Sequence, residues 1–500
     1  MNMKKKYLFI WFLSLFALNL VGVNIETNHI VNDIETDGDT TIALQKPTTA
    51  GDDYKFRFGG YGEIVASWKD YGLNRWNGQT TGSTRDHHAT IALPRFIMAF
   101  DYKFSKRWAL SAEVEFEGGG TGTEYEIEVG SGSENGEYET ETETGGEVAL
   151  EQFHLTYLAH PSFNVRMGHM IVPVGITNTH HEPIYFFGTR RPEGETTILP
   201  STWHETGIEF FGKFGKGLAK FDYEAMIIAG ANPNGFDKYN WIKKGKQNYF
   251  EADNFTRPAY VGRLNWHGVD GLRVGTSLYY CGDAGRNADK LNTYKGFGNI
   301  SLLIWSADAQ YINRWVEARA NIITGRVSHA DDISWVNRIY SKDSPYNRTP
   351  NVAKRALTYS CELGLNVKNI FNGSKNFPNI IPFAHYEYYN PQEKGEKSTS
   401  AMDDRCQVTL WTMGLNWRPL PNLVVKADYT TRQIGTRKIF GTSNAGYNSE
   451  NEFSIGVAYI GWFIKHNGEK VRCVDYERLN QQVNELRREV EILKAKNAKK

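Results

Sequence analysis

The stretch RALTYSCELGLNV, Arg355–Val367, decides how this chain is to be read. Successive side chains of a β-strand point to opposite faces. One row here is Leu357, Tyr359, Cys361, Leu363 and Leu365, and the other is Thr358, Ser360, Glu362, Gly364 and Asn366. The first row suits hydrocarbon and the second suits water. Leu272–Cys281 repeats the pattern, with Leu272, Val274 and Leu278 opposed to Arg273, Gly275 and Ser277. So does Leu423–Arg432, with Leu423, Val425, Ala427 and Tyr429 against Lys426, Asp428, Thr430 and Arg432. In Trp108–Glu117 the row Trp108, Leu110, Ala112, Val114 and Phe116 opposes Ser111, Glu113, Glu115 and Glu117.

Parity alone leaves two architectures open. A soluble sandwich buries the apolar row, whereas a barrel in a bilayer turns it outward and lines its lumen with the polar row. The connections choose between them. They alternate long and short: Lys69–His87 long, Phe104–Arg107 short, Gly118–Glu147 long, Ala159–Ser162 short, Gly175–His204 long, Gly212–Gly217 short. The alternation continues to Arg418–Asn422 short and Gln433–Glu450 long, with Asn369–Asn379 intermediate. A sandwich has no reason to sort its connections by parity. A membrane barrel does, with tight periplasmic turns and long external loops. Many strands run roughly 10–14 residues, long for a globular domain and suited to tilted spanning strands. Tyr102, Tyr157, Trp266, Trp417 and Phe463 sit near strand ends, where an interfacial aromatic belt is expected. The reading is an all-β chain, a transmembrane antiparallel β-barrel of about sixteen strands. Its last strand, Glu452–Phe463, closes on an aromatic as barrel assembly signals do.

Bulk properties fit. Aromatics make up 13% of the 500 residues, with 48 Gly and only 16 Pro, a bias suited to β-structure. A mean hydropathy of −0.51 is no objection, since only alternate residues of a barrel meet lipid. The formal net charge of zero gives no field that would attract nucleic acid. Lys4, Lys5 and Lys6 precede the apolar run Tyr7–Val23, which reads as a secretory signal. Expected organisation is therefore 1–23 signal peptide, 24–53 flexible periplasmic leader, 54–464 barrel and 465–500 tail. The four Cys (281, 361, 406 and 473) are far apart and suggest neither a metal site nor a dense disulfide framework. Cys361 lies on the apolar parity of its strand.

Gly175–His204 is rich in large apolar groups, unlike an ordinary external loop. It is expected to fold into the lumen as a constriction, with His180, His181, Glu182, Arg190, Arg191, Glu193 and Glu195 setting the local charge. His180, His181 and His204 have no zinc-ligand spacing, and no metal or cofactor is expected from them. Glu124–Glu147 carries two Glu-x-Glu runs that share one face of an extended hairpin. It reads as a solvated loop or a cation-binding flap.

Gly-His-Met-Ile-Val-Pro-Val-Gly (168–175), His181-Glu-Pro, Arg191-Pro and Ile-Leu-Pro-Ser-Thr-Trp-His-Glu-Thr-Gly (198–207) resemble the signature of Bacteroidetes-type outer-membrane porins. These are related to the phosphate-selective porin O and P family. Pro94-Arg-Phe, Glu113-Val-Glu-Phe-Glu and Gly414-Leu-Asn-Trp-Arg-Pro fit too. The resemblance implies a trimeric, water-filled channel in the outer membrane of a Gram-negative bacterium. It would pass small hydrophilic solutes, with anions such as phosphate among the candidates. Phosphate-selective members use lumenal cations. The lumen-parity candidates here are Arg57, Arg95, Arg166, Arg263, Arg273, Arg319, Lys426 and Arg432. They are offset by carboxylates such as Glu63, Asp101, Glu113 and Asp428. The alternative is a surface-exposed binding protein or adhesin on a barrel scaffold. No Gly-x-Ser-x-Gly motif supports an esterase, and the chain is read as a non-enzyme.

Leu479, Val483, Leu486, Val490 and Leu493 lie on a heptad stripe with charged flanks, which reads as a short C-terminal periplasmic coiled-coil helix joining a homotrimer. Deleting residues 475–500 is expected to shift the detergent-solubilised protein from trimer to monomer mass, measured by size exclusion with light scattering.

Overall fold

The computed structural model describes residues 54–71, 86–128, 139–200, 202–247, 253–290, 292–340, 351–371, 377–397, 400, 402–435, 448–466 and 484. The signal segment, the leader, Cys473 and the five heptad positions of the tail lie outside the described residues. Sixteen strands form one closed antiparallel barrel, each pairing with its sequence neighbours and the first pairing with the last. They are β1 (Phe56–Tyr71), β2 (Asp86–Lys103), β3 (Trp108–Glu128), β4 (Glu139–His160), β5 (Phe163–Ile171), β6 (His204–Phe214), β7 (Phe221–Ile228) and β8 (Ala259–Val269). Then follow β9 (Leu272–Cys281), β10 (Leu302–Ile312), β11 (Val316–Val327), β12 (Arg355–Leu365), β13 (Ile380–Lys394), β14 (Val408–Leu420), β15 (Leu423–Ile434) and β16 (Asn448–His466). Closure leaves no edge, so every strand has a partner on both sides.

The connections sort by end. Residues 104–107, 161–162, 215–220, 270–271, 313–315 and 421–422 are tight turns at one end. At the same end, 366–379 is longer and holds a one-turn helix, Val367–Ile370. The other end carries 172–203, 229–258, 282–301 and 328–354. The acidic stretch is more regular than a loop. Beyond Glu117, β3 pairs with β4 alone, and the register sets Glu124 opposite Glu143 and Glu126 opposite Glu141.

The two rows point as a bilayer barrel requires. Leu278, Leu363, Met413 and Ile455 are 40–60% exposed on the outside, while Arg273, Ser277, Glu362 and Ser454 are buried inside. Rings cluster outside toward both ends. Trp108 pairs with Tyr157, and Phe214 with Phe221, by the tight turns (centroids 4.8 and 5.4 Å). Trp68 pairs with Phe453, and Tyr386 with Trp411, toward the long connections (5.7 and 4.6 Å). An apolar band of this extent facing water would be an aggregation surface; facing lipid it is satisfied. Cys361 faces outward, and Cys281 and Cys361 are free thiols.

One expectation needs correction. The inward row is not polar everywhere. At the long-connection end of β7–β12 it is Met226, Ile228, Val261, Tyr279, Leu302, Ile304, Ile323 and Ala356, all buried. The described residues of the connections 229–258, 282–301 and 328–354 fold over this wall and cover it with Phe236, Trp241, Ala284, Ile300, Ile333 and Val336. A helix at Ala330–Tyr340 contributes Ala330, Ile333, Val336 and Asn337 from one face, the spacing of an amphipathic helix. The sequence signal was the loss of alternation near 278–281, where Leu278, Tyr279, Tyr280 and Cys281 are apolar on both parities.

Leu278→Arg is expected to destabilise the folded barrel in lipid vesicles by about 2–4 kcal/mol if its position lies near the bilayer midplane, measured by reversible denaturant unfolding.

Candidate functional site

Residues 172–203 leave β5, pass through the barrel interior and return at β6. Gly175 begins the excursion with a φ of 83°, and a side chain there would meet the Glu195 carboxylate at 2.2 Å. Two short helices follow, α1 (Ile176–Thr179) and α2 (Glu193–Ile198). Asn178 staples the two ends of the segment: its Nδ2 donates to the carbonyls of Val172 (2.7 Å) and Trp203 (3.2 Å), and its Oδ1 accepts from the Trp203 N–H (2.6 Å). Glu195 accepts from the backbone N–H groups of Thr177 (3.1 Å) and Asn178 (2.6 Å) and from Asn321 Nδ2 of β11 (2.6 Å).

Wall side chains supply what the segment's own backbone lacks. Glu387 of β13 accepts from the N–H groups of Glu193 (2.8 Å) and Gly194 (2.7 Å) at the start of α2. Asp428 of β15 accepts from the Thr189 N–H (2.5 Å). Lys426 donates to the carbonyls of Pro183, Phe186 and Gly188 at 2.5, 2.6 and 2.7 Å, which uses all three of its N–H donors. Apolar contacts complete the docking. Ile184 sits among inward Tyr61, Ile97, Val424, Ala458 and Ile460. Phe187 stacks on Phe383 at 5.2 Å. Fully burying one such side chain contributes about 1.5–3 kcal/mol.

Beside the segment lies a cavity of about 740 Å³, walled by β1, β2 and β12–β16. Arg190, Arg191 and Glu193 of the segment line it. Arg190 is 62% exposed and pairs with Glu452 (2.6 Å), and Glu193 pairs with Arg432 (2.5 Å). Arg191 also donates to the His181 carbonyl (3.2 Å) and Thr202 Oγ1 (3.2 Å). His180 lines a smaller cavity with Arg319 and His385, and burial beside Arg273, Arg319 and Arg263 holds its imidazole below the usual range. His181, Glu182 and Glu195 do not line the large cavity; they are buried in the packing around the segment.

All eight lumen-parity cations point inward, yet of these only Arg432 lines the large cavity. Arg57 pairs with Asp101 (2.5 Å), Arg95 with Glu115 (3.1 Å), Arg166 with Glu209 (2.9 Å) and Arg319 with Glu362 (3.0 Å). Arg263 and Arg273 share Asp308 (2.8 and 3.1 Å). Gly275 permits this last triad. A side chain there would strike Arg263 at 2.6 Å, so its absence lets β8 reach β10 across β9. His204 hydrogen-bonds to His169 of β5, and His180 packs edge-on to Tyr185 (6.1 Å). The three histidines weighed as a zinc set thus have separate partners.

Sequence reasoning missed Glu151, Asn178 and the cavity-lining Lys69, His385, Glu450 and Glu452. Glu151 had a readable signal. The apolar parity passes from Val148 and Leu150 to Phe153 and Leu155, which requires an extra residue between them.

No family model matches the chain. An uncharacterized protein of Aquifex aeolicus (strain VF5) is 27% identical over 359 residues, covering 71% of this chain and 73% of that one. Among solved structures, an anion-selective porin from Comamonas acidovorans aligns at a TM-score of 0.46 and 10% identity, over 81% of this chain and 99% of its own. Salmonella typhi OmpF, in complex with daunomycin, aligns at 0.48 and 10%, over 82% and 98%. The outer-membrane channel DcaP of Acinetobacter baumannii aligns at 0.47 and 11%, over 81% and 96%. None of these likenesses is close enough to carry a solute or a residue's role over to this chain.

Burial pushes the Glu195 carboxyl up to about 7 from an ordinary 4.5, against the pull of the Asn178 and Thr177 N–H groups. The docked carboxyl therefore holds its proton more tightly than the unfolded chain does. Its contribution to docking is full below pH 4.5 and lost as pH rises through 7. Hydrogen-exchange protection of the Thr177 and Asn178 amides is expected to fall as pH rises from about 4.5 to about 7, by at most about tenfold per pH unit, and to level off above 7. Glu195→Gln removes that dependence.

Proposed function

We propose that this chain is an outer-membrane diffusion channel for small hydrophilic solutes, assembled as a homotrimer, with the tight turns facing the periplasm and the long connections facing outside. The observation that carries this reading is the inverted barrel: apolar rows outward, and inside a charged cavity beside an inward segment held by wall side chains. Residues 172–203 are the constriction in this reading, and Arg190, Arg191 and Glu193 are its cavity-facing charges. The resemblance to phosphate-selective porins makes phosphate a candidate solute. The cavity lining argues for weak charge preference instead, since Lys69, Arg190, Arg191 and Arg432 face six carboxylates.

One observation favours a second reading, a surface binding protein on a barrel scaffold. The described residues of the connections 229–258, 282–301 and 328–354 form a packed body continuous with the wall.

Planar-bilayer recording separates the two. Stepwise openings are expected, with a reversal potential near zero or slightly cation-selective under a salt gradient. Lys426→Met, which strips three carbonyls of their donor, is expected to enlarge the steps and shorten the closed dwell times. Silent bilayers from folded trimer would overturn the channel reading, and a strongly anion-selective reversal would overturn the charge argument.

A further inference from the structure

At one point the β3–β4 register slips. Glu113 faces Gln152 and Val114 faces Leu150, so Glu151 is an extra residue in β4. A bulge of this kind re-aims side chains. Glu151 and Gln152 both turn inward, 0% and 7% exposed. The inward segment brings fully buried His181 to the same place. One ligand atom from each of Glu113, Glu151 and His181 can be chosen so that all three lie within 4.8 Å of one another.

The chemistry around these atoms points to a cation. His181 Nδ1 lies 3.0 Å from the Asn178 carbonyl, which can only accept, so Nδ1 carries the hydrogen and the neutral ring's lone pair is at Nε2, where the Tyr61 hydroxyl donates to it at 2.8 Å. Such a bond from Nδ1 to a carbonyl orients metal-binding imidazoles in general. Nε2 faces Glu151 Oε1 at 3.5 Å, and this carboxylate oxygen is buried with no hydrogen-bond partner. Neither carboxylate oxygen of the adjoining, buried Glu182 has a hydrogen-bond partner either. One buried cation, Arg95, lies close by; it pairs with Glu115 at 3.1 Å and also interacts with Glu151, and it is a single positive charge among Glu113, Glu115, Glu151 and Glu182. Leaving several buried carboxylates uncompensated costs several kcal/mol each.

We propose that Glu113, Glu151 and His181 bind a divalent transition-metal ion of the zinc class, which ties the inward segment to the barrel wall. One imidazole and two carboxylates are a zinc-type donor set that balances the charge of the ion. Tetrahedral zinc with bonds of about 2.0–2.1 Å holds neighbouring ligand atoms roughly 3.3–3.4 Å apart, close to the Nε2–Oε1 separation. A fourth position is left for water. Tyr61 Oη, 2.8 Å from His181 Nε2 and 3.4 Å from Glu151 Oε2, stands where it can donate to that shell. The ligands come from β3, β4 and the inward segment, so an ion bound to all three favours the docked segment by mass action.

The test uses full-length protein in detergent, stripped with a chelator and titrated with zinc chloride by calorimetry, with elemental analysis after dialysis. One zinc per chain is expected. Glu151→Gln and His181→Ala should weaken binding at least about tenfold, while His169→Ala, at the separate histidine pair, should not. Cobalt substitution of the wild-type protein gives a visible spectrum of low-coordinate nitrogen and oxygen ligation without relying on a variant's folding, and heat-modifiable gel mobility reports whether each variant's barrel has formed. Absence of stoichiometric zinc from the wild type would overturn the proposal. So would unchanged affinity in folded His181→Ala, or loss of the site on His169→Ala.

Discussion

Closure of β1 on β16 is the constraint from which the rest of the molecule follows. A closed sheet of sixteen strands has no edge for lipid to strip of hydrogen bonds, and its backbone is satisfied all the way round. Closure at that strand number also fixes an interior far wider than wall side chains can fill, since about eight strands already reach that limit. Water can fill it, and here residues 172–203 also enter it. A segment that enters has no neighbouring strand, so its amides and carbonyls need side-chain partners. That is the role of Lys426 and Asp428 of β15 and Glu387 of β13, while Asn321 of β11 donates to the Glu195 carboxylate that caps the start of α1. The wall is therefore specific to the segment it holds. Each of these side chains answers a particular polar group on residues 172–203.

The same geometry disarms most of the lumenal charge. In an antiparallel barrel, residues directly opposite on adjacent strands point the same way. Arg57 stands opposite Asp101, Arg166 opposite Glu209, Arg319 opposite Glu362 and Arg432 opposite Glu450. Each pair is in contact, so the arginine count overstates the field a solute meets. What remains available is concentrated where the inward segment adds its own charges, above all the exposed Arg190.

The strands and the sense of their faces were legible because they rest on local rules. Period-two alternation in Arg355–Leu365 or Leu423–Arg432 needs only neighbours in sequence, and the parity of the connections needs only their order. The inward course of residues 172–203 was legible for a similar reason, as a loop too apolar to stand in water. What was not legible depended on register between distant residues. Nothing local says that Glu387 will meet the amide of Glu193, or that Gly275 will open a path from Arg263 to Asp308. Glu195 and Glu182 carry charge in the sequence and read as constriction groups. The fold spends Glu195 on helix ends and buries Glu182 beside Glu151. Burial, which parity cannot supply inside a lumen that a segment enters, made the difference.

The asymmetry of the interior follows from where the inward rows turn apolar. Met226, Val261, Tyr279, Ile304 and Ile323 form a hydrophobic wall on one side, and Val172, Val174, Ile198, Leu199 and Trp203 of the inward segment join that cluster. Hydrophobic burial is non-directional and scales with area, so the ends of the segment are drawn to that side. Its middle is held across the lumen by Lys426 and by the Ile184 pocket on the opposite wall. The charged cavity lies where this span leaves room, along β12–β16 and β1–β2. Width and charge of the cavity are consequently set by the stance of one segment, while the barrel supplies the frame against which that stance is fixed.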